Sequence, residues 1–223
     1  MVDIKTVIER FQEINPKFNL KFKNESLLMK IISKILFFNK SFFTSFVTTL
    51  GNTVYFPSRE NLERRGRGAI LTLGHEFIHT YDFKKYTYPL FSFLYLFPQS
   101  LAPFMLLFSF VYWWLGIILF LACLAPLPAP WRTYFEVRGY AVSLLVLNRS
   151  KLKQGLSANK RRHYLLELSK NINIHFTNSS YYFMWPFGVS KKLEKISNKI
   201  VSDEFNEKIY NDILNIYEET GTI

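Results

Sequence analysis

The types and spacing of His75, Glu76 and His79, in the stretch GHEFIHTYD, could hold a metal ion and use it. On a helix, residues four apart share one face, about 6 Å from each other, so both imidazoles could reach one ion. Imidazole is a zinc ligand, and a catalytic zinc keeps one position open for water. Glu76 lies next to His75, where its carboxylate could accept a proton from that water. The stretch predicts a zinc-hydrolase centre, with two structural histidines as the alternative.

Two imidazoles do not complete a catalytic zinc site, so a third protein ligand is required. No histidine follows His79 closely enough to extend the motif, and the single cysteine, Cys123, excludes a cysteine cluster. A lone carboxylate, Glu136, lies in an otherwise apolar helical pattern, where burial without a partner would be costly. Glu136 is therefore the predicted third ligand. An ion pair with Arg132 or Arg138 is the alternative.

A tetrahedral intermediate would also need a hydrogen-bond donor for its oxyanion. The candidates by residue type are Tyr134, Tyr140, His163 and His175. Tyr140 lies one turn after Glu136 on the same predicted face, and it is the candidate catalytic residue besides Glu76. His163 lies in a basic stretch typical of a solvated face, and His175 fits a structural role.

The elements that must position these residues are mainly helices. The motif helix is predicted to begin near Gly68 or Ala69, and a second helix to cover residues 130–148. Upstream, the charged residues 58–68 predict a loop. GNTVYFP, at residues 51–57, predicts one short strand, which could be the edge strand that pairs with substrate.

The outer parts of the chain also have helical patterns. A short helix is predicted to end before Pro16, and apolar spacing in residues 27–47 predicts a core-facing helix, or else a membrane-surface helix. From residue 151 on, the chain is basic and mainly helical in pattern, and a last helix is predicted to open at Ser202. The predicted fold is mainly α with a small strand element, as a single domain over residues 1–223.

Residues 86–131 contain no Asp, Glu, Lys, Arg or His, a run of 46 residues. Such a run could form one membrane span, two spans, a re-entrant hairpin or an unusually apolar core. Because His79 and Glu136 must meet at one ion, the run must cross an even number of times or fold back. The prediction is an apolar hairpin, membrane-inserted or buried, with its turn at residues 113–116 or at residues 98–103.

Basic residues flank this run on both sides, with Lys84 and Lys85 before it and Arg132 and Arg138 after it. Both ends, and the active site, are therefore predicted on the cytoplasmic side of a membrane. The net charge of +11 favours anionic lipid headgroups. No recognised nucleic-acid motif accompanies the basic run at residues 160–162, so nucleic acid is not an expected partner. A soluble protein, or one in a larger assembly, is the alternative.

The order of these features resembles gluzincin-type zinc metallopeptidases, in particular the integral-membrane CAAX-prenyl-protease and heat-shock membrane-protease families. A motif helix, a long apolar hairpin and then Glu-x-Arg with a small residue carry the resemblance, over roughly residues 68–147. It implies Zn2+ on His75, His79 and Glu136, with Glu76 as general base. It also implies a zincin-like helical core in which the hairpin lies between the two ligand helices.

Those families usually carry an Asp four residues after the ligand Glu, where it orients a ligand His. Here that position is Tyr140. Asp82, three residues after His79 on the same predicted face, could orient the imidazole instead. The alternative is a solvated acid near Lys84 and Lys85.

The predicted function is zinc-dependent hydrolysis of peptide bonds in a polypeptide substrate, by a membrane-associated metallopeptidase. The alternative is a non-enzymatic membrane-binding or assembly protein, such as a component of a virus particle or a secretion apparatus, in which the motif is structural or inactive. Bound zinc would distinguish the two. The oligomeric state has no signature in the sequence.

Overall fold

The computed structural model of the chain describes residues 4–36, 40–125, 127–177 and 187–223. Most of the aromatic stretch FTNSSYYFMWPFG therefore lies outside the described residues. The fold is mainly α with one three-stranded sheet, which confirms the predicted fold class. The α-helices are α1 (Ile4–Ile14), α2 (Leu27–Ile35), α3 (Lys40–Thr44), α4 (Arg59–Arg65), α5 (Arg67–Tyr86), α6 (Tyr88–Tyr95), α7 (Ala102–Met105), α8 (Trp113–Leu124), α9 (Pro130–Lys153), α10 (Ala158–Thr177), α11 (Val189–Val201) and α12 (Lys208–Glu219). The strands are β1 (Asn19–Phe22), β2 (Thr48–Leu50) and β3 (Thr53–Phe56).

The sheet has the order β1-β3-β2, with β1 parallel and β2 antiparallel to β3. β2 and β3 form a hairpin around Gly51 and Asn52, and Gly51 has a φ of +63°, which favours glycine. The predicted strand in residues 51–57 is confirmed as β3. Its predicted place at the sheet edge is wrong, because β1 pairs with it on the other side. β2 is the outer strand instead.

The core forms around the long helices α5 and α9, which pack against each other. Phe11 of α1 stacks on Phe77 of α5 at 4.3 Å between ring centroids. Tyr217 of α12 donates a hydrogen bond of 2.5 Å to the carbonyl of Ile70, directly beside Gly74. A side chain at Gly74 would occupy the position of this phenol, so the glycine lets α12 close over α5. These contacts fix the position of the motif helix.

Two predicted boundaries are wrong. Residues 58–68 are not a loop: Ser58 accepts a hydrogen bond from the backbone N–H of Asn61 and caps α4, whose charged residues are the solvated side of a helix. α5 then begins at Arg67. The last helix begins at Lys208 rather than at Ser202, because Asp203, with a φ of +58°, follows the end of α11 and the chain turns there.

α2 does not face the core as predicted. Met29 is buried, but Leu27, Leu28 and Ile31 are 74%, 46% and 49% exposed. α2 packs mainly on the short 3-10 turn before it and on α3, and these contacts leave much of its apolar side exposed. The alternative interpretation, a membrane-surface helix, stays a prediction.

The uncharged segment, residues 86–131, is divided into α6, α7, α8 and two 3-10 turns, Gln99–Leu101 and Leu106–Phe110. Among the described residues, no single helix is long and apolar enough to cross a membrane. One pair, Tyr88–Tyr95 with Gln99–Phe110, meets that test of length and composition when its parts, bent by 111°, are combined. Many large apolar side chains of residues 86–131 are exposed, including Phe110 at 90% and Trp113 at 71%. The segment is therefore not a buried apolar core.

Candidate metal centre

α5 presents His75 and His79 on one face, as their spacing predicts. Their Nε2 atoms lie 3.2 Å apart, and the two rings meet edge to face. The ring of His75 lies directly against Gly139 of α9, where a Cβ atom would come within 2.6 Å of it. The glycine therefore allows the ligand helices to approach closely enough for the imidazoles to converge.

Glu136 of α9 reaches the same point from the facing helix. Its Oε2 lies 3.2 Å from Nε2 of His75, and its Oε1 lies 3.5 Å from Nε2 of His79. A tetrahedral ion with bonds of about 2.1 Å holds its ligand atoms about 3.4 Å apart, so these separations fit a single ion. His79 and Glu136 are each only 4% exposed. The buried group of His75, His79 and Glu136 could hold a metal ion.

The charges in this group stabilise one another. Burial alone would raise the pKa of Glu136, but hydrogen bonds from His75 and His79 and the charge on the imidazoles hold it well below its usual range. Burial alone would lower the pKa of His79, but its hydrogen bond to Glu136 and the surrounding negative charge raise it to about 9. A positive charge beside the Glu136 carboxylate is therefore favourable.

Arg132 and Arg138, the alternative partners of Glu136, make their hydrogen bonds with other groups. Arg138 binds Asp82, with its Nε 3.2 and 3.1 Å from the two carboxylate oxygens. Arg132 donates from Nε to the backbone carbonyl of Tyr95 at 3.2 Å. Glu136 is thus left to the two histidines and to the Tyr95 hydroxyl, which donates to its Oε1 at 2.6 Å.

Glu76 projects toward the sheet. Its Oε2 accepts a hydrogen bond of 2.6 Å from the hydroxyl of Thr49 in the outer strand β2. Neither Thr49 nor Tyr95 was predicted from the sequence as a site residue. Each is a hydroxyl residue in a stretch without other chemical signals, and its partner lies 27 or 41 positions away along the chain.

Asp82 neither orients His79, the role that the sequence left open for it, nor lies in solvent, which was the alternative. It is fully buried rather than solvated, and it binds Arg138. Within the part of the chain that the structure describes, Nδ1 of His79 is buried and has no hydrogen-bond partner. Burial raises the pKa of Asp82, although the guanidinium of Arg138 acts in the opposite direction.

Among the oxyanion candidates, Tyr140 has a ring contact with one of the three clustered residues, His75. Its ring meets that of His75 edge to face, with centroids 4.7 Å apart, and stacks parallel to that of His175 at 5.9 Å. His163 is exposed on α10 beside Tyr164. Tyr134, 36% exposed, packs against neighbouring aromatic rings on α9.

Comparison of the chain with protein-family models, with curated proteins and with solved structures finds no match.

Proposed function

We propose that the protein is a zinc-dependent metallopeptidase of gluzincin type. The observation that carries the proposal is the convergence of two imidazoles and one carboxylate from facing helices, at separations of 3.2 to 3.5 Å. Two nitrogen donors and one oxygen donor form a typical protein ligand set for catalytic zinc. Zinc bound there would polarise a carbonyl group and lower the pKa of a water molecule.

The chain's own residues have separate roles in this mechanism. His75, His79 and Glu136 would hold the ion, and Glu76 would accept a proton from the attacking water and pass it to the leaving amine. The hydrogen bond from Thr49 holds one oxygen of Glu76 in place. Tyr140, beside His75, is the candidate donor to the oxyanion.

A peptide is the substrate class that this geometry favours. β2 is the outer strand of the sheet, and its Thr49 contacts the proposed general base. An extended peptide that added to this edge would form main-chain hydrogen bonds with β2 and pass beside Glu76. The edge strand therefore supports hydrolysis of a polypeptide rather than of a small ester.

We also propose that the protein associates with a membrane surface through residues 86–131. This segment carries no charged residue, and it exposes large side chains such as Phe110, Trp113 and Leu121. Burial of exposed apolar area in lipid is favourable, and tryptophan is enriched at the interface. The flanking basic residues Lys84 and Lys85 favour a cytoplasmic active site.

The test of the hydrolase is metal content together with cleavage of a fluorescence-quenched peptide library. The wild-type chain is expected to bind one zinc and to lose activity with a chelator. Glu76→Gln should keep zinc and lose activity, and His79→Ala should lose both. Glu9→Gln and His163→Ala, at exposed positions, are the matched controls. An active Glu76→Gln protein would contradict the mechanism.

The second candidate is a non-enzymatic membrane-binding or assembly protein, which the exposed apolar surface favours. A folded wild-type chain without zinc would support it.

Membrane association itself is tested by flotation with vesicles of phosphatidylcholine and phosphatidylglycerol. Phe110→Glu with Trp113→Glu should reduce the floated fraction severalfold, and Ile174→Glu, at an exposed apolar position on α10, should not. Equal flotation of all variants would contradict the proposed membrane surface.

A further inference from the structure

Tyr95 connects the uncharged segment to the metal centre. It lies at the end of α6, and its hydroxyl donates a hydrogen bond of 2.6 Å to Oε1 of Glu136. A hydrogen bond of this length to a carboxylate is in the charge-assisted range; Glu136 is buried and Tyr95 is partly buried. The contact is therefore stronger than an ordinary surface hydrogen bond.

The Tyr95 hydroxyl adds a further contact to those that His75 and His79 make with the carboxylate of Glu136, and so restricts its rotation. The last torsion of a glutamate side chain is soft and roughly two-fold, so the two oxygens can exchange or tilt at little cost. The Tyr95 hydroxyl holds Oε1 and leaves Oε2 beside Nε2 of His75, at 3.2 Å. Oε1 also lies 3.5 Å from Nε2 of His79, so the Tyr95 hydroxyl fixes the position of the whole carboxylate beside the place where the ion would bind.

Tyr95 is itself held by the helix that carries Glu136. The guanidinium of Arg132, four residues before Glu136 on α9, lies 5.2 Å above the Tyr95 ring, and its Nε donates to the Tyr95 carbonyl at 3.2 Å. The ring of Phe91 also lies nearly parallel to the Tyr95 ring, with the centroids 5.6 Å apart. The phenol is therefore fixed before any metal ion binds.

We propose that Tyr95 is a positioning residue of the metal centre, which fixes the carboxylate of Glu136 and links the apolar segment to metal binding. This inference rests on the proposed function, because it requires an ion on His75, His79 and Glu136. It assigns the uncharged segment a role inside the site as well as on the surface. Loss of the hydroxyl should weaken metal binding without removing a ligand.

The experiment measures zinc affinity by chelator competition, and the visible spectrum of the Co2+-substituted protein, for the full chain in detergent. Tyr95→Phe should weaken zinc binding about 10- to 100-fold, as loss of a hydrogen bond to a ligand typically does, and should change the Co2+ spectrum. Tyr88→Phe, on the same helix but 50% exposed, is the matched control and should change neither. Urea unfolding of each variant separates a loss of folding from a change at the metal.

A double-mutant cycle tests whether Arg132 acts through Tyr95. Arg132→Leu should weaken zinc binding in the wild-type chain, but it should have little further effect in the Tyr95→Phe background. If the wild-type chain binds zinc and cleaves peptides while Tyr95→Phe keeps the same affinity and spectrum, the positioning role is wrong and the proposed function stands. If the wild-type chain binds no zinc, the proposed function fails, and this inference fails with it.

Discussion

The hydroxyl of Thr49 donates a hydrogen bond of 2.6 Å to Oε2 of Glu76. This contact joins the outer strand of the sheet to the motif helix at the residue between the two ligand histidines in sequence. The strand edge that could hold a peptide and the carboxylate that could accept a proton are thus coupled by one hydrogen bond. Any shift of β2 would be transmitted to the orientation of Glu76.

Replacing Thr49 should impair catalysis without removing the metal. Thr49→Val keeps the shape and loses the hydroxyl, so the Glu76 carboxylate loses its hydrogen-bond partner in β2. We expect kcat/KM to fall about tenfold, which corresponds to about 1.4 kcal/mol. Thr49→Ser, which keeps the hydroxyl, should retain most of the activity, and zinc content should be equal in all three proteins. A Thr49→Val variant with unchanged kcat/KM would contradict this role.

The parts of the site that follow from local spacing could be predicted from the sequence. Any helix would place His75 and His79 on one face. The structure brings Glu136 to them from α9, a helix that the sequence pattern also predicted. The hydroxyls of Thr49 and Tyr95 could not be found this way. Their partners lie far along the chain, and helix or strand periodicity carries no information about which distant side chains meet.

The fold shows the same division between local and distant information. α1 and α9 have clear periodicity and clear start or stop signals near Pro16 and Pro130. β1 was missed because a four-residue strand is stabilised by its parallel pairing with β3, about thirty residues later. α4 was missed because Leu62 is the single apolar residue among its charged and polar residues, although Ser58 gives a capping signal.

Gly139→Ala should displace His75. The added methyl group would lie 2.6 Å from the imidazole, so the ring or the helix must move. We expect zinc affinity to fall at least tenfold, and the free energy of unfolding to fall by about 1–3 kcal/mol, as for other overpacked sites. Gly68→Ala, also in a helix but with no atom within 4 Å of its added methyl, should instead stabilise by up to about 1 kcal/mol. Equal zinc affinity in both variants would show that the close approach at Gly139 is not needed.

Lys23 should make the stability of the protein depend on pH. It is fully buried, and its Nζ donates to the carbonyl of Phe42 at 2.5 Å and to the hydroxyl of Thr48 at 2.7 Å. Burial lowers its pKa to about 7, from an ordinary value of 10.5. Between these values the unfolded chain holds a proton on Lys23 that the folded chain lacks. Raising the pH through this window should therefore increase the free energy of unfolding.

The measurement compares urea unfolding of the wild type and Lys23→Met at pH 7.5 and 9.5. The wild type should gain about 2 kcal/mol relative to the variant over this interval, since a full pKa unit corresponds to about 1.4 kcal/mol. Lys21→Met, at an exposed position of β1, should follow the wild type at both values. The same pH dependence in Lys23→Met as in the wild type would assign it to other groups.

Removal of one partner of the buried pair of Asp82 and Arg138 should lower the free energy of unfolding much more than replacement of both. Arg138→Met leaves a fully buried carboxylate without its cation, so we expect a loss of about 3–5 kcal/mol of unfolding free energy at pH 7. Asp82→Leu combined with Arg138→Met should recover most of this loss, because neither charge then remains buried. Glu207→Gln, which removes only the half-exposed second partner of Arg138, should cost less than about 1 kcal/mol.

The loss in Arg138→Met should also depend on pH, in the sense opposite to that of Lys23. Burial already raises the pKa of Asp82 in the presence of Arg138, and removal of the guanidinium should raise it further. Between the unfolded and folded values, the folded variant then holds a proton on Asp82 that the unfolded chain releases. Lowering the pH from 8 to 5 should therefore stabilise Arg138→Met relative to the wild type. An unpaired buried charge should lower the free energy of unfolding by several kcal/mol. If Arg138→Met stays within about 1 kcal/mol of the wild type at both pH values, the pair is not needed for stability.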